Sequence, residues 1–151
     1  MFASTRTEGS FVDKLIKIIF IAWLQFFTPT SVAQILIVHP DIPNFELSRN
    51  NIRSIFAMRT QQWPDGNPIH LFVIDDNNSL HTSFCKHVLG MFPYQLRGIW
   101  DRQIFSGTGI APTSVSSVQE MREQVSNTPG AIGYIESDQL NSSVKPIGEL
   151  L

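Results

Sequence analysis

Short apolar runs alternate with helix-period segments along this chain, and that alternation restricts it to layered α/β folds. The first run, Gln34-Ile35-Leu36-Ile37-Val38, is rich in β-branched residues and is stopped by Pro40. It reads as a strand buried on both faces. Ile69 to Ile74 makes a second strand, ended by Asp75-Asp76-Asn77-Asn78, and Trp63-Pro64-Asp65-Gly66 is a turn before it. Pro129-Gly130 turns the chain into a third strand, Ala131 to Glu136, and Val144 to Leu150 gives a last short one.

The segments between have the other period. Ile52, Ile55 and Phe56 form the stripe of an amphipathic helix ending near Arg59. Ser48 is its N-cap, and Leu47 and Ile52 have the spacing of a hydrophobic staple. From Ser79, Leu80, Phe84 and Val88 share one helix face, with Leu89 beside it and Gly90 as the stop. Pro93 opens a helix on which Leu96, Ile99, Trp100 and Ile104 align, and Pro112 keeps the chain irregular after it. Ser117 and Glu120 have capping-box spacing ahead of Val118, Met121 and Val125. Strands alternating with helices predict an α/β fold with a mostly parallel sheet flanked by helices.

Ahead of all this, Arg6, Lys14 and Lys17 precede an apolar run from Ile18 to Phe27, broken only by Gln25, and then Ser31-Val32-Ala33. A basic lead, a short apolar stretch and a small-x-small ending describe a secretory signal peptide over residues 1–33, cleaved near Ala33-Gln34. As a helix the apolar run rises about 15 Å, half of a ~30 Å hydrocarbon core, so a cleaved signal is preferred to an anchor. The domain is then 34–151, which is 118 of the 151 residues and suits one core. It carries 8 Lys and Arg against 11 Asp and Glu, with no arginine-rich run, which argues against nucleic acid as a partner. Cys85 is the single cysteine, so an exported domain has no internal disulfide to rely on.

Candidate chemistry is sparse. Ser106-Gly107-Thr108-Gly109 could cradle an anion on backbone N–H groups, but it lacks the phosphate-loop spacing, and a plain helix-ending loop is the preferred reading. His81 and His87 are six apart and fall on different helix faces, so no metal or other cofactor is expected. Asp75 and Asp76 have ordinary loop and cap composition. Cys85 lies on the apolar side of its helix as a small core residue. Ser114, Ser116 and Ser117 form no nucleophile elbow, and the chain is not read as an enzyme.

Several blocks, in order, resemble one lobe of the periplasmic phosphate-type substrate-binding proteins of ABC transporters. They are Leu47-Ser48 with Ile52, Ile55-Phe56 and Trp63; the strand Ile69 to Ile74; Ser79 with Phe84 and Leu89; and Val125, Pro129 and Gly130-Ala131-Ile132-Gly133-Tyr134. The resemblance spans roughly residues 35–150. It implies a single-lobe version of the type II periplasmic-binding-protein fold, a periplasmic location, and binding of phosphate or another small oxyanion for uptake or sensing. It also implies a membrane permease or sensor subunit as partner.

In the family a serine-glycine-threonine turn opens the helix after the second strand, and an arginine ends that strand. Here Ser79 keeps the serine, Leu80 stands for glycine and His81 for threonine, and Asp75 holds the arginine position. The candidate ligand contacts are accordingly Ser79, His81 and Thr82, with Gly107 and Thr108 from the second loop. A lone lobe offers half a cleft, and a carboxylate in it repels phosphate. The alternative is therefore an adaptor that keeps the fold, has lost the anion pocket, and binds another envelope protein.

Overall fold

In the computed structural model, residues 33–44 and 46–147 are described, and they fall within one compact unit of the chain. The expected signal peptide lies, but for Ala33, outside the described residues, as do residues 148–150 of the expected last strand. The elements run β1 (Gln34–Val38), α1 (Arg49–Phe56), β2 (His70–Ile74), α2 (Ser79–Phe84) and a π-helical turn (Cys85–Leu89). They continue with α3 (Pro93–Phe105), β3 (Thr113–Val115), α4 (Val118–Asn127), β4 (Ala131–Glu136) and β5 (Lys145–Pro146).

The sheet order is β3-β2-β4-β1-β5. β2 pairs parallel with β3 and β4, whereas β1 pairs antiparallel with β4 and β5. Four strands therefore point one way and β1 the other, so the sheet is mostly parallel, as expected. Leu36, Ile37 and Val38 are all fully buried, which is what an unbroken apolar run in a covered central strand requires.

Alternation along β4 assigns the helices to the two faces. Gly133 points at α4, where a Cβ would meet Met121 Sδ at 2.4 Å and Val125 at 3.2 Å. Tyr134, its neighbour, faces the other side and stacks on Phe84 of α2, with ring centroids 3.9 Å apart and planes 4° from parallel. Phe56 of α1 packs against Phe84 with ring centroids 4.8 Å apart and planes tilted by 57°. The core thus has an aliphatic and sulfur layer under α4 and an aromatic layer under α1 and α2.

Most helix ends are closed by the residues expected to close them. Ser48 Oγ accepts the Asn51 N–H, and Ser117 Oγ accepts the Glu120 N–H. The Glu120 carboxylate reaches back one residue further than a capping box does, to the N–H and hydroxyl of Ser116. Those two bonds stabilise the carboxylate and hold its pKa below the usual carboxylate value.

Three features differ from the sequence reading. Helix α1 stops at Phe56, because Met58 takes a left-handed φ of 56° and Trp100 Nε1 caps the Phe56 carbonyl at 2.7 Å. β3 forms directly after Pro112, where an irregular chain was expected, through its pairing with Phe72–Ile74. Ile104, aligned with Leu96 and Trp100, is 41% exposed because α3 outruns the core. Among the described residues no helix is long and apolar enough to cross a membrane.

Candidate functional site

β2 is flanked by β3 on one side and β4 on the other, and the chain passes from β3 to β4 across it. In open α/β sheets such a switch of direction leaves a crevice outside the carboxyl end of the strand. The segment emerging there is Asp75–Asn78, which leads into α2. Its turn is closed by the Asn78 N–H on the Asp75 carbonyl at 2.9 Å, and Asn78 Oδ1 caps the Leu80 N–H at 2.8 Å.

Helical spacing then divides α2 and its π-turn. Ser79, Thr82 and Lys86 follow one another at i, i+3, i+7 on the outer face. Thr82 and Lys86 line a shallow surface hollow together with Asp76, Asn77, Phe92, Pro93, Tyr94, Arg97, Gly98 and Asp101.

The inner face carries His81 and Cys85. His81 was expected to offer its imidazole to a ligand, and the structure corrects this, because the side chain is only 1% exposed. Nδ1 lies 2.5 Å from the Tyr134 hydroxyl, which in turn accepts the Ile74 N–H at 3.0 Å. A carboxylate oxygen of Asp76 faces Nε2 and can only accept, which favours the His81 proton on Nε2 and leaves Nδ1 to accept from the Tyr134 hydroxyl. Nε2 faces Cys85 Sγ at 3.4 Å and Asp76 Oδ1 at 3.5 Å.

Burial lowers the His81 pKa, outweighing the upward pull of Asp76; Arg97 lowers it further. The imidazole is therefore neutral at pH 7. Burial also raises the Tyr134 phenol and pushes the Cys85 thiol up to about 12, so neither supplies a nucleophile.

The carboxylate that engages the site is that of Asp76, one residue on from the expected Asp75, which is exposed. Arg97 of α3 grips it in a two-pronged pair, Nε to Oδ2 at 3.0 Å and Nη2 to Oδ1 at 2.8 Å. The guanidinium also lies 5.0 Å from the Trp100 ring centroid, which fixes its plane. A continuous chain results, running from Arg97 in the hollow through Asp76 and His81 to Tyr134 and the backbone of β2. Sequence reasoning missed Arg97, which carries no local motif, and it placed Tyr134 in the Gly130–Tyr134 block without its role, since both act through tertiary contacts.

The Ser106–Gly109 loop is elsewhere, and it is the helix-ending loop preferred from the sequence, without the free N–H groups that Gly107 and Thr108 would need to contact a ligand. Its N–H groups serve the end of α3: Gly107 donates to Ile104, and Thr108 and Gly109 both donate to Gln103. Gly107 is left-handed at φ 70°, as a helix-ending glycine is. The Ser106 and Thr108 hydroxyls bond each other at 2.8 Å. A helix end also carries the negative pole of the macrodipole, which disfavours an anion. Gln61 ties the Thr108 carbonyl to the start of β2, since its own carbonyl accepts the Ile69 N–H. Gly107 and Thr108 are thus at the amino end of the parallel strands, and Ser79 and Thr82 at the carboxyl end.

The comparisons fit this architecture. A family model described as a PBP superfamily domain matches residues 30–149. No curated protein sequence matches the chain. Among solved structures, an ABC-type phosphate transport receptor from Vibrio cholerae is similar at 17% identity and a TM-score of 0.60, over 76% of this chain and 44% of that one. PstS from Borrelia burgdorferi is similar at 20% identity and a TM-score of 0.58, over 77% of this chain and 46% of that one. The likeness is one of fold, and the chain spans less than half the length of either.

Proposed function

We propose, from the premise that the chain belongs to the PBP superfamily domain family, that it is a substrate-binding lobe of the phosphate type. In this reading it takes a small oxyanion for uptake or sensing, in the hollow lined by Thr82 and Arg97, with Ser79 one helical turn before Thr82. The observation that carries it is the Arg97 guanidinium, oriented by Asp76 and Trp100 beside Thr82, in the hollow at the carboxyl end of β2. Two bonds to Asp76 leave donors of the guanidinium to spare, and its planar fork suits a tetrahedral oxyanion.

Asp76 also sets a limit. The Arg97–Asp76 pair has no net charge, so the open lobe attracts an anion weakly and in a salt-dependent way. Affinity then depends on a second body that closes over the hollow and removes water from it.

The reading is tested by thermal unfolding of the protein, produced from its full-length chain, across phosphate, sulfate and other oxyanions. An anion at ~100 times its Kd stabilises by about 2.7 kcal/mol, which raises the midpoint by roughly 10 °C for a domain of this size. A midpoint that stays fixed through the millimolar range for every oxyanion would sink the proposal. A membrane permease or sensor subunit is the partner that such a role implies.

Export belongs to the same reading. With residues 1–33 as a cleaved signal, protein from the periplasmic fraction begins Gln34-Ile35-Leu36. An intact Met1 terminus on that protein, or recovery from the cytoplasm alone, contradicts it.

A further inference from the structure

The hollow that receives Arg97 has a rim that an isolated domain does not need. Phe92 is 48% exposed and Tyr94 72%, and their rings stack at 5.8 Å with planes 15° apart. Lys86 Nζ lies 5.4 Å over the Phe92 ring. Tyr94, Arg97 and Asp101 stand at i, i+3, i+7, so they form one outward stripe of α3, while Leu96 and Trp100 hold the inward one. Exposed aromatics and arginine with charges around them are the composition of an interface, and scattered surface positions do not produce it.

The charges decide what sits there. Lys86 and Arg97 are balanced by Asp76 and Asp101 across the same hollow. Such a patch draws in neither a strongly acidic nor a strongly basic partner, yet it complements itself under a twofold axis, where one surface meets an identical one. The position agrees, since the patch lies outside the carboxyl end of β2, where open α/β sheets leave a crevice.

We infer that a second copy of this chain docks face to face on the Lys86–Phe92–Tyr94–Asp101 rim, each Lys86 meeting Asp101 of the other copy. The two copies together then enclose the anion-binding hollow. The inference rests on the proposed function only for what the closed space contains.

The test is sedimentation velocity on the full-chain protein over a concentration series from low to high micromolar, with and without inorganic phosphate. The wild type is expected to be dimeric at the upper end, and Lys86→Asp and Asp101→Lys each monomeric. The double exchange restores the dimer, because each opposite-charge contact is remade with its sign reversed. Lys86 and Asp101 are both exposed, and circular dichroism of each variant confirms that the fold is kept. A wild type monomeric at every concentration, or a double variant no more dimeric than the single ones, overturns the inference. A dimer with no phosphate response removes the anion reading and leaves the interface. A phosphate response in a strictly monomeric protein does the reverse.

Discussion

The turns at Ser79–Thr82 and Ser106–Gly109 both carry serine and threonine hydroxyls and are opposite in placement. Both place hydroxyls near a helix terminus, and both were candidates for an anion. The first begins a helix at the carboxyl end of β2, leaves Ser79 exposed and sets Thr82 in the hollow that Arg97 lines. The second ends α3 at the amino end of the same strands, and its N–H groups are consumed by the carbonyls of Gln103 and Ile104. Direction along the helix, which residue types do not encode, sets the two turns at opposite ends of the parallel strands.

That contrast depends on what anchors the first turn. Tyr134 holds both the Ile74 N–H and His81 Nδ1 from below. Tyr134→Phe leaves those two buried polar groups without a partner, at a cost of about 3 kcal/mol. Urea unfolding checks this, and a change under a quarter of that amount would show the chain to be ornamental.

Arg97→Gln acts on the ligand and spares the fold. Removing an exposed ion pair changes stability by less than about 1 kcal/mol. The phosphate-induced rise in midpoint is expected to disappear. An undiminished rise places the anion elsewhere, and the Ser106–Gly109 loop would regain its claim.

Gly107→Ala probes that loop directly. A Cβ there meets no atom within 4 Å, so the cost is that of a left-handed φ alone, about 1 kcal/mol. The phosphate response should be unchanged, and its loss would reverse the assignment of the two turns.

The mildest lever is pH. The folded His81 pKa lies below its ordinary 6.5, so the unfolded chain binds the proton more readily. The contribution of His81 to stability is full above pH 6.5 and is lost as pH falls through and below that value. Midpoints measured between pH 7 and 5 should therefore decline, and decline less in His81→Gln. Equal slopes in the two proteins would mean that the imidazole is not held neutral in the fold.

The sequence made the framework legible where local chemistry and fold agree. The run ending at Val38, the Ser48 and Ser117 caps, and the Gly130-to-Tyr134 block each state their structure in neighbouring residues. Gly130 shows why: its φ is 79°, and a Cβ would lie 2.4 Å from the Pro68 carbonyl oxygen. Only glycine fits that crossing.

What stayed hidden is tertiary. β1 runs against its neighbours, although its composition is that of a parallel strand, because pairing direction is set by connections and not by residue type. The π-turn at Cys85–Leu89 rotates Lys86 and His87 outward, with Arg53 Nε capping the Leu89 carbonyl from another helix. His81 reads as a surface donor beside Ser79 until the fold brings Tyr134, 53 residues away in sequence, to its imidazole. Arg97 is one charge on an amphipathic helix, and nothing near it in the chain indicates that Asp76 waits across the hollow.

The central claim is that the Arg97 face at the carboxyl end of β2, and not the Ser106–Gly109 loop, takes the oxyanion. Calorimetric titration of phosphate into the wild type, Arg97→Gln and Thr108→Ala tests it most directly. The account predicts matching isotherms for the wild type and Thr108→Ala, and no measurable binding heat for Arg97→Gln. Binding that survives in Arg97→Gln but is lost in Thr108→Ala would contradict it.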